Sequence, residues 1–131
     1  MANGRYFSID SVGSVDTTES TDVNGNVVYL ICALVSFDVV LNTSGLDRWS
    51  FQAVGTGIDN NISGQLYESV DNVNYFNSKK SDGTTNVTWT LTTSVSGIKI
   101  NNLSTDANFY KASFDIGSNS TGTVKFLVQR K

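Results

Sequence analysis

The sequence predicts an all-β protein: one sandwich of two antiparallel sheets, immunoglobulin-like or jelly-roll, with eight or nine strands. Three observations predict it. Apolar and polar residues alternate with a period of two over most of the chain, as half-buried strands require. Turns rich in Asn, Asp, Ser and Gly punctuate that alternation at short intervals. Ser, Thr and Asn supply about a third of the residues and Pro is absent, a composition that suits strand faces and turns better than helix interiors.

In chain order, Arg5 to Asp10 reads as a first strand. Ser11 to Asn26 is polar, with Thr, Asp and Gly but few apolar anchors, and is expected to be an extended arm or loop. Val23-Asn24-Gly25-Asn26 is a turn signal, because Asn-Gly tolerates positive φ. Val27 to Leu41 reads as one strand: Val27, Tyr29, Ile31, Ala33, Val35, Phe37, Val39 and Leu41 share a face, and five Val favour strand over helix. Leu46 to Val54 turns Trp49, Phe51 and Ala53 inward.

Ile62 to Val70 groups Ile62, Gly64, Leu66 and Val70 on one face and Gln65, Tyr67 and Ser69 on the other. Asp71-Asn72 is the tight corner that follows. The alternation is cleanest from Val87 to Val95, with Val87, Trp89, Leu91 and Val95 inward and Thr88, Thr90, Thr92 and Ser94 outward. Ile98 and Ile100 continue after Gly97. Tyr110, Ala112, Phe114 and Ile116 then face in, with Lys111, Ser113 and Asp115 out, and Val124, Phe126 and Val128 close the core.

At 131 residues the chain fits a single domain, 1–131, and 39% hydrophobic with 11% aromatic content is enough for a core. A lone Cys32 in the apolar run Val27 to Val35 is expected to be a buried free thiol. That run is half the length a membrane helix needs, so no membrane partner is expected. The amino terminus shows no apolar stretch of the kind a signal peptide carries. A formal charge of -3 with scattered Lys and Arg argues against a nucleic-acid partner.

Chemistry-bearing patterns are sparse. There is no His, which removes the commonest general base and metal ligand. Cys32 has no His partner, and neither a Gly-x-Ser-x-Gly elbow nor a Gly-rich phosphate loop occurs. No enzyme activity, cofactor or metal is therefore expected. Asp10, Asp16, Glu19 and Asp22 crowd the N-terminal region without calcium-loop spacing, which reads as a solvated loop. Glu68 and Asp71 flank a hairpin corner and read as ordinary exposed carboxylates. Five Asn-x-Ser/Thr sequons, at Asn42, Asn61, Asn86, Asn102 and Asn119, follow from composition. Trp49 and Trp89 sit on core faces, which leaves Tyr67 and Tyr75 as the aromatic candidates for an exposed partner contact. Asp16 and Glu19 are the candidates on the expected arm.

The stretch Glu68-Ser69-Val70-Asp71-Asn72-Val73-Asn74-Tyr75 resembles a hairpin of small virion proteins of tailed bacteriophages, with Asn72 where Gly is usual. Asn108 to Ala112 and Ser120 to Val124 are similar to the closing strands of such domains. The Asn-rich, His-free, Pro-free style resembles structural proteins of phages infecting Bacteroidetes, including the auxiliary (decoration) capsid proteins of crAss-like phages. This resemblance implies a non-enzymatic virion component, assembled in the bacterial host cytoplasm and located on the capsid. It also implies the major capsid protein or other virion proteins as partners, with self-association left open. The alternatives are a tail or fibre component and a carbohydrate-binding adhesin module that uses exposed aromatics.

Overall fold

The structure is a computed structural model that describes residues 6–11, 17–21, 27–33, 35–42, 49–80, 82–95, 97–103 and 107–130. It is all-β, with no helix among the described residues. The strands are β1 (Tyr6–Ser11), β2 (Thr17–Thr21), β3 (Val27–Cys32), β4 (Phe37–Asn42), β5 (Trp49–Thr56) and β6 (Ile62–Ser69). They continue with β7 (Phe76–Asn77), β8 (Thr88–Leu91), β9 (Gly97–Leu103), β10 (Phe109–Asp115) and β11 (Thr123–Arg130). One sheet runs β1-β4-β10-β6, and beyond β6 its edge is shared by β7 and β8; the other runs β2-β3-β11-β5-β9. Every pairing is antiparallel. The chain changes sheet at most connections, so both sheets are woven from both halves of the sequence.

Alternation explains the core. Strands β4, β5, β6, β8 and β10 each bury every second side chain at their centres, and those side chains meet between the sheets. The middle is aromatic. Phe51 stacks on Phe126 with ring centroids 5.0 Å apart and meets Trp89 edge-on, also at 5.0 Å. Trp49 lies 5.2 Å from Tyr110, and Phe37 stacks on Phe114 at 4.7 Å. Trp49 and Trp89 are core residues, as the sequence predicts.

Four expectations are corrected. Val27 to Leu41 is two strands in different sheets, β3 and β4. The chain leaves β3 at Ala33, whose N–H donates to the Gly122 carbonyl; Ile31 and Ala33 before the break and Phe37, Val39 and Leu41 after it are all buried. Continuous apolarity therefore hides the crossover. Part of the expected arm is the edge strand β2, whose backbone pairs with β3 from Thr17↔Ile31 to Thr21↔Val27. β-branched Thr suits a strand that needs backbone pairing more than an apolar face. Residues 12–16 and 22–26 lie outside the described residues, as do the side chain of Cys32 and the Asn24-Gly25 turn. Val70 and Val95 are exposed, not inward: β6 ends at Ser69 and β8 at Leu91, so period-two counting runs past the true strand ends. Among the described residues the strands number eleven where eight or nine are predicted, the additions being β2 and the division of Val27 to Leu41 into β3 and β4.

At the end of the sandwich where β10 turns into β11, Asn119 is 4% exposed and acts as a staple. Its Oδ1 accepts from the N–H groups of Asp59 (2.8 Å) and Asn60 (3.1 Å). Its Nδ2 donates to the carbonyls of Ala33 (2.9 Å) and Thr121 (2.8 Å). All the hydrogen-bonding capacity of the amide plane is directed into three loops, so this sequon is a structural residue.

Candidate functional site

The outward face of the six-stranded sheet carries the candidate site. Since Val39, Leu41, Leu66, Ala112 and Phe114 point inward, their strand neighbours point out. Register then assembles two rows. Val40, Lys111, Tyr67 and Asn77 lie side by side on β4, β10, β6 and β7. Asp38, Ser113, Gln65 and Thr88 form the adjacent row on β4, β10, β6 and β8. A depression of about 550 Å³ lies over the second row and reaches Tyr67 of the first, with Asp38, Gln65, Tyr67, Thr88 and Ser113 in its lining.

Within the rows the polar groups are already oriented. Ser113 Oγ donates to Asp38 Oδ1 at 2.6 Å, and Gln65 Nε2 donates to Asn77 Oδ1 at 2.8 Å. The Lys111 ammonium sits 4.3 Å from the ring centroid of Tyr75 and 5.6 Å from that of Tyr67. An ammonium over a phenol face is attracted by the ring quadrupole, by about 0.5–1 kcal/mol at an exposed site. Lys111 thus links β10 to β6 and to the segment before β7, with its ammonium near both rings. The Tyr75 hydroxyl donates to Asn72 Oδ1. Burial pushes the Tyr75 hydroxyl above its usual pKa, and the negative charges of Asp71 and Asp38 add to the rise, so it stays a neutral donor.

Tyr75 is delivered by the corner after β6. Asn72 adopts φ 62°, a left-handed conformation that Asn tolerates better than most residues. Ser69 is buried, not on an open polar face: its Oγ accepts from the N–H of Asp71 (3.2 Å) and of Asn72 (2.9 Å) and donates to Asp71 Oδ1 (2.9 Å). Asp71 Oδ1 also accepts from the N–H of Val73 and Asn74, and Oδ2 from Asn74 Nδ2. The Asn74 N–H, then that of Val73, then the Asn74 and Ser69 side chains, hold the Asp71 carboxyl well below the usual carboxylate range. Glu68 accepts from Ser78 Oγ at 2.9 Å. Both carboxylates are therefore engaged in building the hairpin.

Of the four contact candidates read from the sequence, the structure brings Tyr67 and Tyr75 together around Lys111. Glu19 lies on β2 in the other sheet, opposite Tyr29, and so is on a different part of the molecule. Asp16 lies outside the described residues. The sequence marks Lys111 and Ser113 as outward but gives no sign that they sit beside Tyr67 and Gln65. Asp38 is marked only as lying off the apolar face of its strand, and Asn77 carries no signal. Among the described residues, no group of three or more His, Cys, Asp or Glu could hold a metal ion.

No protein-family model and no curated protein matches the chain. Among solved structures, it is similar to a family 4 carbohydrate-binding module at 15% identity, over 88% of this chain and 78% of that one, with a TM-score of 0.39. It is also similar to a family 61 carbohydrate-binding module solved with β-1,4-galactotriose, at 13% identity, over 95% and 88% of the two chains, with a TM-score of 0.44. At these identities the likeness is one of fold.

Proposed function

We propose that the protein is a non-catalytic binding module whose outer six-stranded face recognises a saccharide. The observation that carries this reading is the grouping of two phenol rings around one ammonium, beside a compact set of hydrogen-bonding groups of both signs. A sugar presents hydroxyls that donate and accept together, and apolar C–H edges beside them. The face answers with Asp38 as an acceptor, Lys111 as a donor, and Gln65, Asn77 and Thr88 as both. The tyrosines offer flat apolar surface with a polar tip. The groups are pre-set by contacts with one another, which lowers the ordering cost of binding. An array of neutral and acidic oligosaccharides, probed with the full chain, tests it. Saturable binding that Tyr67→Ala weakens supports the reading; a blank array rejects it.

A second reading is a structural role on a phage particle, as an auxiliary capsid protein that adheres by surface area. It is favoured by the apolar side chains exposed at the hairpin corner. Mass spectrometry of purified virions tests it: a copy number in fixed proportion to the major capsid protein supports it, and absence from virions rejects it.

A further inference from the structure

Five large apolar side chains are exposed among the described residues, and three of them, Val70, Val73 and Phe76, lie within one corner of the chain. Their exposures are 70%, 77% and 69%. Scattered exposed apolar residues are ordinary, but a cluster marks an interaction surface. This cluster is also braced. Ser69 and Asp71 hold the backbone from 71 to 74, and Asn108 Nδ2 donates to the Val70 carbonyl at 3.2 Å. The side chains are thus presented on a fixed loop and do not have to be ordered by a partner.

Beside them is a depression of about 310 Å³, lined by Glu68, Ser69, Val70, Asp71, Asn74, Phe76 and Ala107. That is the small end of the range for ligand pockets, roughly 300–1,000 Å³. Its lining includes two carboxylates and no cation. Asp71 remains negative at all ordinary pH, because four donors hold its carboxyl low. The depression is separate from the saccharide face: Phe76 pairs with Glu68 in register, and both project to the opposite side of the sheet from Tyr67 and Asn77.

We propose that this corner docks a protein segment that is apolar and basic. A large apolar side chain of the partner fills the space between Val70, Phe76 and Ala107, and an adjacent Lys or Arg meets Glu68 and Asp71. The exposed Phe76 ring and Val70 give the anchor, and the two carboxylates select the charge of what sits beside it. The inference goes beyond the saccharide reading and does not depend on it.

The test is to pan a displayed library of short random peptides on the immobilised full chain and on its Phe76→Ser and Glu68→Gln variants. Phe76 is exposed, so its replacement leaves the core alone; Val73→Ser, exposed as well, serves as a second variant. The expected peptides place an aromatic or large aliphatic residue beside Arg or Lys. Their affinity falls about tenfold with Phe76→Ser, and it weakens with added salt less steeply in Glu68→Gln than in the parent. Enrichment of acidic or neutral peptides, peptides indifferent to all three variants, or no enrichment over a bare surface each overturns the proposal. Oligosaccharide binding that Tyr67→Ala weakens and Phe76→Ser spares leaves the two sites independent.

Discussion

Gly64→Ala is expected to destabilise the sandwich through one contact. Gly64 on β6 is in register with Trp89 on β8, and the indole lies across it. A methyl group there would come within 2.5 Å of Trp89 Cζ2 and closer still to Cε2 and Nε1. Comfortable carbon–carbon separation is about 3.5–4.0 Å, so the indole must move by about 1.5 Å or more. It has little room, being 6% exposed with Phe51 at 5.0 Å and Phe114 at 5.4 Å. Overpacking of this kind costs about 1–3 kcal/mol, against which removing a strand glycine returns about 0.5–1 kcal/mol. The net expectation is about 1 kcal/mol lost, and at most about 2.5 kcal/mol. Trp89→Ala alone should cost about 3–5 kcal/mol. In that background the clash is gone, and Gly64→Ala should be neutral or slightly stabilising. The double-mutant cycle, read from urea melts, should therefore show a coupling of about 2 kcal/mol. Additive losses, or a neutral Gly64→Ala in the parent, would refute the packing argument.

Further expectations follow from the same structure. Thr90→Ala, on the exposed side of β8, should cost well under about 1 kcal/mol, and a loss equal to that of Trp89→Ala on the same melts would reverse the face assignment. Asn119→Ala orphans the buried Ala33 carbonyl and three further backbone groups, so denaturant melts should show a loss of about 3 kcal/mol. Asn60→Ala, which removes only a local exposed bond to the Asn61 N–H, should lose under about 1 kcal/mol; equal losses would remove Asn119 as a staple. Acid should also weaken the fold. Asp71 is held below its unfolded value of 3.8 by the Asn74 N–H first, Asp82 by the Thr85 hydroxyl first, and Asp59 by the Ser120 N–H first. Their folded pKa values are depressed, so their contribution is complete above about pH 4 and disappears as pH falls from there through the folded values. Melts between pH 6 and pH 3 should show a smaller loss in Asp71→Asn than in the parent; an identical pH dependence would contradict this.

The sandwich was legible because its core is periodic. Trp89, Phe51 and Phe126 sit at alternating positions of strands whose other face is polar, and that pattern survives without knowledge of the partner strand. Strand ends were not legible. Val70 keeps the parity of Leu66, yet the Ser69 and Asp71 side chains have already turned the backbone; Val95 keeps the parity of Leu91, yet its N–H is taken by Thr92 Oγ1 at 2.7 Å. The switch between β3 and β4 was hidden because Ile31 and Ala33 before it and Phe37, Val39 and Leu41 after it share one parity and one core. β2 was hidden because an edge strand held by backbone pairing needs no apolar face. At the site, Tyr67 and Tyr75 could be named, since each stands out from a polar setting. Asp38, Lys111 and Asn77 could not be joined to them, because cross-strand register is set by pairings between distant segments.

The most direct test of the saccharide face is a chemical-shift titration of the isotopically labelled chain with the strongest oligosaccharide from the array. Saturable shifts are expected at the amides of Asp38, Gln65, Tyr67, Asn77, Lys111 and Ser113, with an affinity lowered by about tenfold or more in Tyr67→Ala. Shifts confined to the hairpin corner around Phe76, or binding that is indifferent to Tyr67→Ala, would contradict it.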